Sequence, residues 1–293
     1  MDTFFYVNKP KGITSFSVCH QIQKAYNLKK CGHNGTLDPD ATGVMLVACD
    51  KATKLLPFFN IHDKIYEAEF EFGYETTTLD SSGEIVETGN ANIELKDIIE
   101  AIDILYLQKT QVPPMYSAIK LNGKKMVDLA RKNINVDLPP REISYLAKPQ
   151  ITNYENINGR AIIKIRLEVS KGFYVRSFGR DLGRLVKSFA TMISLNRIAS
   201  GNINIENASS LEDIINKKVE PIKISKALDS FQRLDVNDYL AHLVKNGVKL
   251  DERQTNINNN LLVYNNDKLI AVYKKSDEKY ECVVILEGED SWK

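Results

Sequence analysis

The chain has 293 residues, 43% hydrophobic and 26% charged, with 39 Lys and Arg against 38 Asp and Glu. That balance is ordinary for a globular protein of one large domain, or one large and one small, and no apolar run approaches the roughly 20 residues that span a bilayer. Cys19, Cys31, Cys49 and Cys282 are scattered without a C-x-x-C pair, so neither a disulfide framework nor a zinc knuckle is indicated.

In chain order, FFYVNKPKG begins as a strand and ends in a Pro-Lys-Gly turn. TSFSVCHQIQKAYN places Val18, Ile22 and Tyr26 at helical spacing, with Thr14 or Ser15 as the cap. GHNGTLDPDATGVML, residues 32–46, is too polar for a core strand and too glycine-rich for a helix. It reads as a loop running into a short buried strand, GVMLVACD. KATKLLPFF is a helical turn stopped near Pro57. In KIYEAEFEFGYET, Ile65, Glu67, Glu69 and Glu71 alternate with Tyr66, Ala68, Phe70 and Phe72, the period of a half-buried strand. ELKDIIEAIDILYL is an amphipathic helix, and VPPMYSAIKLNGKKMVDLARKN is first irregular, then helical from about Lys124.

Strands are expected over 143–154 and 161–170, followed by a helix in FYVRSFGRDLGRLVKSF and a strand in MISLNRIASG. Gly179 and Gly183, one turn apart in that helix, permit close packing. From Phe231 the pattern changes to a short helix, VNDYLAHLVKNG, a polar loop, DERQTNINNN, and three strand-like runs. Strands and helices mix without regular βαβ alternation, so the expected class is α+β with a mixed, largely antiparallel sheet and flanking helices. Two domains are expected, 1–228 and a small β-rich 229–293.

Residues 229–293 carry 9 Lys or Arg and 12 Asp or Glu, a net of −3, and residues 1–228 carry 30 against 26, a net of +4. The larger part is mildly basic, short of the excess expected of a purely electrostatic nucleic-acid binder. Lys120, Lys124, Lys125, Arg131 and Lys132 cluster in one stretch, which by itself reads as a solvated helix face. Cys31-Gly-His33 lacks a second ligand pair, and no metal is expected. The N-terminus lacks the basic-then-apolar layout of a signal peptide, which makes the cytoplasm the expected location.

Asp38 lies between Leu37 and Pro39. Proline fixes its own φ and biases the preceding residue toward extended geometry, while Gly35 and Gly43 allow sharp backbone at either end. A carboxylate held in one orientation at a strand entrance would result. Asp-Pro is equally a common turn pair, and these arguments do not choose between Asp38 and Asp40.

The loop sits within a wider constellation. GHNGTLDPDATGVML resembles the G-H-x-G-[TS]-L-D-P-x-A-T-G signature of the TruB-type tRNA pseudouridine synthases. NKPKGITS resembles the N-terminal Lys-Pro motif of that family, and KIYEAEFEFGYETTTLDSSG its K-x-Y strand followed by G-x-x-T-x-T-x-D-x-x-G. VPPMYSAIKLNGKK and DLAR resemble its Y-S-A-x-K and A-R block. SKGFYVRSFGRDLG is similar to S-K-G-x-Y-I-R-[ST]-x-x-x-D-L-G, and SLNRIASG to the L-R-R strand. These blocks run in the family's order from Asn8 to Gly201.

The resemblance places the nucleophilic aspartate on Asp38, the active-site tyrosine on Tyr66, and the Tyr-x-Arg pair on Tyr174 and Arg176. It places the apolar pocket residue on Leu195 and the histidine that packs against displaced T-loop bases on His33. Lys9, Lys120, Lys124, Lys125 and Arg131 are implied as further RNA contacts, the last four within an RNA-clasping insertion at about 112–140. Residues 229–293 loosely resemble the family's PUA-like domain. Departures are Asp40 where Leu or Phe is usual, Val127 for a frequent aromatic, Phe173 for Thr, and Asn196 for the first Arg of L-R-R.

The implied reaction breaks the uridine N-glycosidic bond, turns the base and rejoins it through carbon, with neither a cofactor nor a metal. A carboxylate either adds covalently to the substrate or assists proton removal from the ribose. Opposite charge on Arg176 would favour the ionised Asp38. The target base leaves its stack at a cost of roughly a few kcal/mol, and loops of RNA offer such bases.

The implied partner is tRNA, at the T-loop uridine of position 55, with no membrane, no obligate protein partner and a monomeric enzyme. Three rivals remain at this level. An N-glycosidase would release free base, an RNA-binding protein would show no turnover, and the catalytic subunit of a guide-RNA particle would need that particle.

Overall fold

The computed structural model describes residues 1–59, 62–117, 120–121, 124–126, 136 and 138–286. Strand β1 (Thr3–Lys9) leads into helix α1 (Ser15–Ala25), where the Thr14 side chain accepts from the Ser17 amide, a side-chain cap that satisfies one orphan donor of the first turn. Strands β2 (Cys31–Asn34) and β3 (Thr42–Cys49) follow, then a 3-10 turn, Asp50–Phe58, that contains Pro57. Next come β4 (Lys64–Phe72), the hairpin β5 (Tyr74–Thr76) and β6 (Ile85–Thr88), and helix α2 (Leu95–Tyr106). Strands β7 (Gln150–Ile157) and β8 (Arg160–Val169), helix α3 (Val175–Leu185) and strand β9 (Ala190–Ser200) complete the middle of the chain. The remainder holds β10 (Ser209–Ser210), α4 (Leu211–Ile215), β11 (Gln232–Asp235), α5 (Asp238–Lys245), β12 (Leu261–Asn265), β13 (Lys268–Ser276) and β14 (Lys279–Ile285).

The chain divides into two compact units, one of residues 1–39, 44–60 and 206–293, the other of residues 40–43 and 61–205. In the first unit the strand order is β2-β3-β1-β10. Its core joins Phe5 and Val7 of β1, Val18 and Ile22 of α1, Met45 and Val47 of β3, and Leu211 and Ile214 of α4. A second core in the same unit lies on the four-stranded sheet β11-β12-β13-β14, with Val244 of α5 against Val263, Ala271 and Tyr273. The expected β-rich C-terminal region is present. Its first strand, Gln232–Asp235, escapes sequence reading because it is a polar, mostly exposed edge, so no apolar alternation marks it.

In the second unit β7, β8, β4 and β9 run antiparallel in that order. Along β4, Lys64, Tyr66, Ala68, Phe70 and Phe72 are buried while the residues between them are half-exposed, as the period of two predicts. Helix α3 lies on that buried face. Phe178 meets Phe70 at 5.8 Å between ring centroids, and a Cβ on Gly179 would fall 2.4 Å from the Phe70 ring. The close approach of helix and strand therefore needs a residue without a side chain there.

The sheet is mixed and largely antiparallel, as expected. There are two local differences. Expected from residue 143, β7 starts only at Gln150, since Pro149 cannot donate to a ladder. Lys124–Lys125, read as a helix start, instead pair antiparallel with Lys120–Leu121. Val127, Arg131 and Lys132 lie outside the described residues.

Candidate active site

Within the first unit, Asp38 sits in the loop that joins β2 to β3. Hydrogen bonds to its main chain hold this loop. The Gly12 amide donates to Pro39 O at 2.9 Å. Ser15 Oγ accepts from the Leu37 amide at 2.9 Å and donates to Leu37 O at 3.2 Å. Lys9 is fully buried, and its Nζ donates to Pro10 O, Ile13 O and Pro39 O at 2.7–2.9 Å. The Lys-Pro and Asp-Pro motifs are thus one structure, in which a buried ammonium ties the turn after β1 to the residue next to Asp38. Lys9, implied by resemblance as an RNA contact, acts here as the loop's foundation. Asp38 is half-buried, as is His33 on β2.

Within the second unit, Asp40 is exposed, and the chain enters β3 through Thr42 and Gly43, which pair in parallel with Asn196 and Arg197 of β9. Gly43 has φ +113, and a Cβ there would fall 2.3 Å from Arg197 O; only glycine fits this crossing. Asn196, the departure from L-R-R, accepts from Thr42 Oγ1 at 3.2 Å. A neutral acceptor at this position thus serves the β3 entrance.

Tyr66 stands opposite Leu167 and Arg197, and Leu195 opposite Ala68. Period-two geometry puts Tyr66, Leu195 and Arg197 on one face of the sheet. Tyr66 and Leu195 are each 8% exposed, and Arg197 is buried completely. Lys64, two residues before Tyr66 on the same face, is held down at about 8, first by burial and then by the Arg197 and Lys171 charges. A buried amine beside two cations sheds its proton more readily.

Arg176, in the first turn of α3, is buried. Its Nη1 donates to Thr78 O at 3.0 Å and lies 3.4 Å from Asp80 Oδ2, and its Nη2 donates to Tyr116 O at 2.9 Å. Asp80 is itself fixed. Its Oδ1 accepts from Thr78 Oγ1 and from the Ser82 amide, and its carbonyl from Thr76 Oγ1. The T-x-T-x-D run is thereby explained, as two hydroxyls brace the turn that carries a carboxylate to the arginine.

Tyr174 precedes α3, its amide donating to Gln111 Oε1 at 2.9 Å. Phe173, where Thr is usual, is a core residue packed on Tyr145 at 5.2 Å. Asp80 is the residue that sequence reasoning missed. Its signal was the carboxylate amid Thr76, Thr78 and Ser82.

Tyr66, Arg176, Tyr174 and Leu195 thus belong to the second unit, and His33, Asp38 and Lys9 to the first. Of the basic stretch, Lys120, Lys124 and Lys125 lie on a short antiparallel strand pair of the second unit. Arg131 is outside the described residues. Among the described residues no group of three or more His, Cys, Asp or Glu could hold a metal, and no helix is long and apolar enough to cross a membrane.

Two units that present a rigidly held aspartate loop and a buried tyrosine–arginine face agree with what the comparisons with known proteins find. The model of the TruB family pseudouridylate synthase (N-terminal domain) matches residues 23–175. The chain belongs to this family. It is 35% identical, over 98% of its length and the whole of the relative, to the tRNA pseudouridine synthase B of Clostridium tetani. It is 37% identical to that of Onion yellows phytoplasma, over 95% of this chain and 97% of the relative. Its fold is similar to the crystal structure of a Cbf5-Nop10-Gar1 complex, with TM-score 0.64 at 22% identity, covering 98% of this chain and 84% of that one.

Proposed function

We propose that the protein isomerises uridine to pseudouridine in tRNA, at position 55 of the T loop. The observation that carries this reading is the near-full-length likeness to curated tRNA pseudouridine synthases B. The tightly braced Asp38 loop supports it. Asp38 supplies the ionised carboxylate, which adds to the substrate or takes a ribose proton. Arg176 favours that charge, and Asp80 with the two carbonyls orients the guanidinium. Tyr66 offers a ring face and a hydroxyl to the flipped uracil, and Tyr174 and Leu195 enclose it and exclude water, which strengthens the electrostatics. His33 packs against displaced loop bases.

Lys120, Lys124, Lys125 and Arg131 hold phosphates, in an insertion at about 112–140. In this reading residues 1–228 form the catalytic domain and 229–293 a PUA-like domain. The enzyme works as a monomer in the cytoplasm, without a cofactor or obligate partner, because isomerisation moves neither electrons nor groups between molecules.

Mapping pseudouridine in tRNA from cells with and without the protein tests the reading. The expected result is loss of the T-loop modification, with no free uracil released by the purified enzyme. An unmodified T loop in both strains, or an unchanged one, overturns the substrate assignment. Release of uracil replaces the isomerase by an N-glycosidase.

A further inference from the structure

Three of the four cysteines meet in the first unit, outside the residues assigned to catalysis. Cys31 opens β2 and Cys49 closes β3, and the two are direct cross-strand partners. Cys19 on α1 and Cys49 belong to the buried core of that unit, with Cys31 packed against it. The Cys31 thiol lies near enough to both of the others for each to perturb its ionisation.

Register distinguishes the two contacts. The Asp50 amide donates to Lys30 O at 2.8 Å, linking the residue after Cys49 to the residue before Cys31. That bond marks Cys31 and Cys49 as a non-hydrogen-bonded antiparallel pair, whose Cα atoms lie about 4.5 Å apart with side chains close on one face. A disulfide spans about 4.4–6.8 Å between Cα atoms. The strand pair therefore already has the spacing of a cross-link.

We propose that Cys31 and Cys49 are an oxidative modification site, at which a peroxide forms a cross-strand disulfide at the foot of the Asp38 hairpin. Cys31 is half-exposed whereas Cys19 and Cys49 are buried, so Cys31 meets the oxidant first. Its sulfur takes one oxygen as the peroxide O–O bond breaks, giving a sulfenic acid and one water. The Cys49 sulfur then attacks the Cys31 sulfur, and the hydroxyl leaves with the thiol proton as a second water. Two thiols are oxidised by two electrons in all, and one peroxide is reduced.

The thiolate is the reactive form. The neighbouring Cys31 thiol, then burial, push the Cys19 thiol up. For Cys31 the neighbouring Cys19 thiol lowers the pKa, but the Cys49 thiol and burial outweigh it, so the net shift is upward. Oxidation is accordingly slow at neutral pH and faster in alkali. Its product would tie β2, which carries His33, to β3 at the base of the loop that holds Asp38.

The test treats the full chain with excess hydrogen peroxide at mildly alkaline pH, alkylates the remaining thiols, and maps peptides by mass spectrometry without reduction. The expected product has lost two hydrogens, carries a Cys31–Cys49 linked peptide, and leaves Cys19 and Cys282 alkylated. Cys19→Ser is expected to keep the link. A Cys31–Cys19 link in the wild type overturns the proposal, as does a Cys31 that ends unlinked while Cys49 remains alkylatable.

Discussion

Around Asp38 two side chains hold the main chain of the loop. A buried lysine donates to three carbonyls, and one serine hydroxyl clasps the amide and carbonyl of Leu37. Around Arg176 the partners come from two separated segments, the turn of Thr78 and Asp80 and the chain at Tyr116, met by the first turn of a helix lying on a sheet. The Asp38 loop is held from Lys9 and Ser15, far ahead of it in the chain, by one buried ammonium and one hydroxyl that meet uncharged main-chain groups. The arginine cradle depends on packing and on the partition of charge. In both, a single charged side chain is positioned by groups that face away from solvent, where an unsatisfied partner is costly.

The comparison is broken most severely by removing the charge that the hairpin presents. Asp38→Asn nearly conserves volume but removes the nucleophilic carboxylate, and is expected to lower single-turnover rate at least about a thousandfold. tRNA affinity and thermal midpoint should change little. Asp40→Asn, at an exposed position, is expected to stay near wild type. If the two variants exchanged places, the assignment within the loop would be wrong.

Arg176→Lys tests the cradle on its own terms. A point charge cannot reproduce planar donation to two carbonyls and a carboxylate, and a loss of about a hundredfold in kcat with smaller change in KM is expected. Asp80→Asn should fall between this variant and wild type. A near-normal Arg176→Lys rate would show that orientation of the guanidinium does not matter.

Lys9→Met separates shape from charge in the hairpin. It removes the donor that Pro10 O, Ile13 O and Pro39 O share, and a stability loss of about 1–3 kcal/mol is expected, read as a lower midpoint in denaturant. Activity of the remaining folded fraction should fall as the loop loosens. Unchanged stability would remove Lys9 from the loop's foundation.

The smallest effect concerns pH. Lys64 holds its proton in the folded protein only to about 8, against an ordinary 10.5. Between those values the unfolded chain binds more protons, so stability rises with pH across this window. A contribution of about 1–3 kcal/mol is expected from this one group, and Lys64→Met should flatten the rise. Equal slopes for the two proteins would show that neither burial nor the Arg197 and Lys171 charges depress Lys64.

The amino-acid sequence by itself determined the local devices. Pro39 stiffens the chain beside Asp38, and the two-residue period of β4 puts Tyr66 on the buried face, because backbone sterics and strand geometry act between near neighbours. It also carried the family signature in ordered blocks from Asn8 to Gly201. Tertiary structure decided what no spacing reveals. It buried Lys9 beneath the loop, half-buried Asp38 while exposing Asp40, set Asp80 against Arg176, and turned Phe173 into a core ring. Each of these depends on which distant groups share a desolvated space, and burial makes hydrogen-bond and charge partners count in a way that composition along the chain does not record.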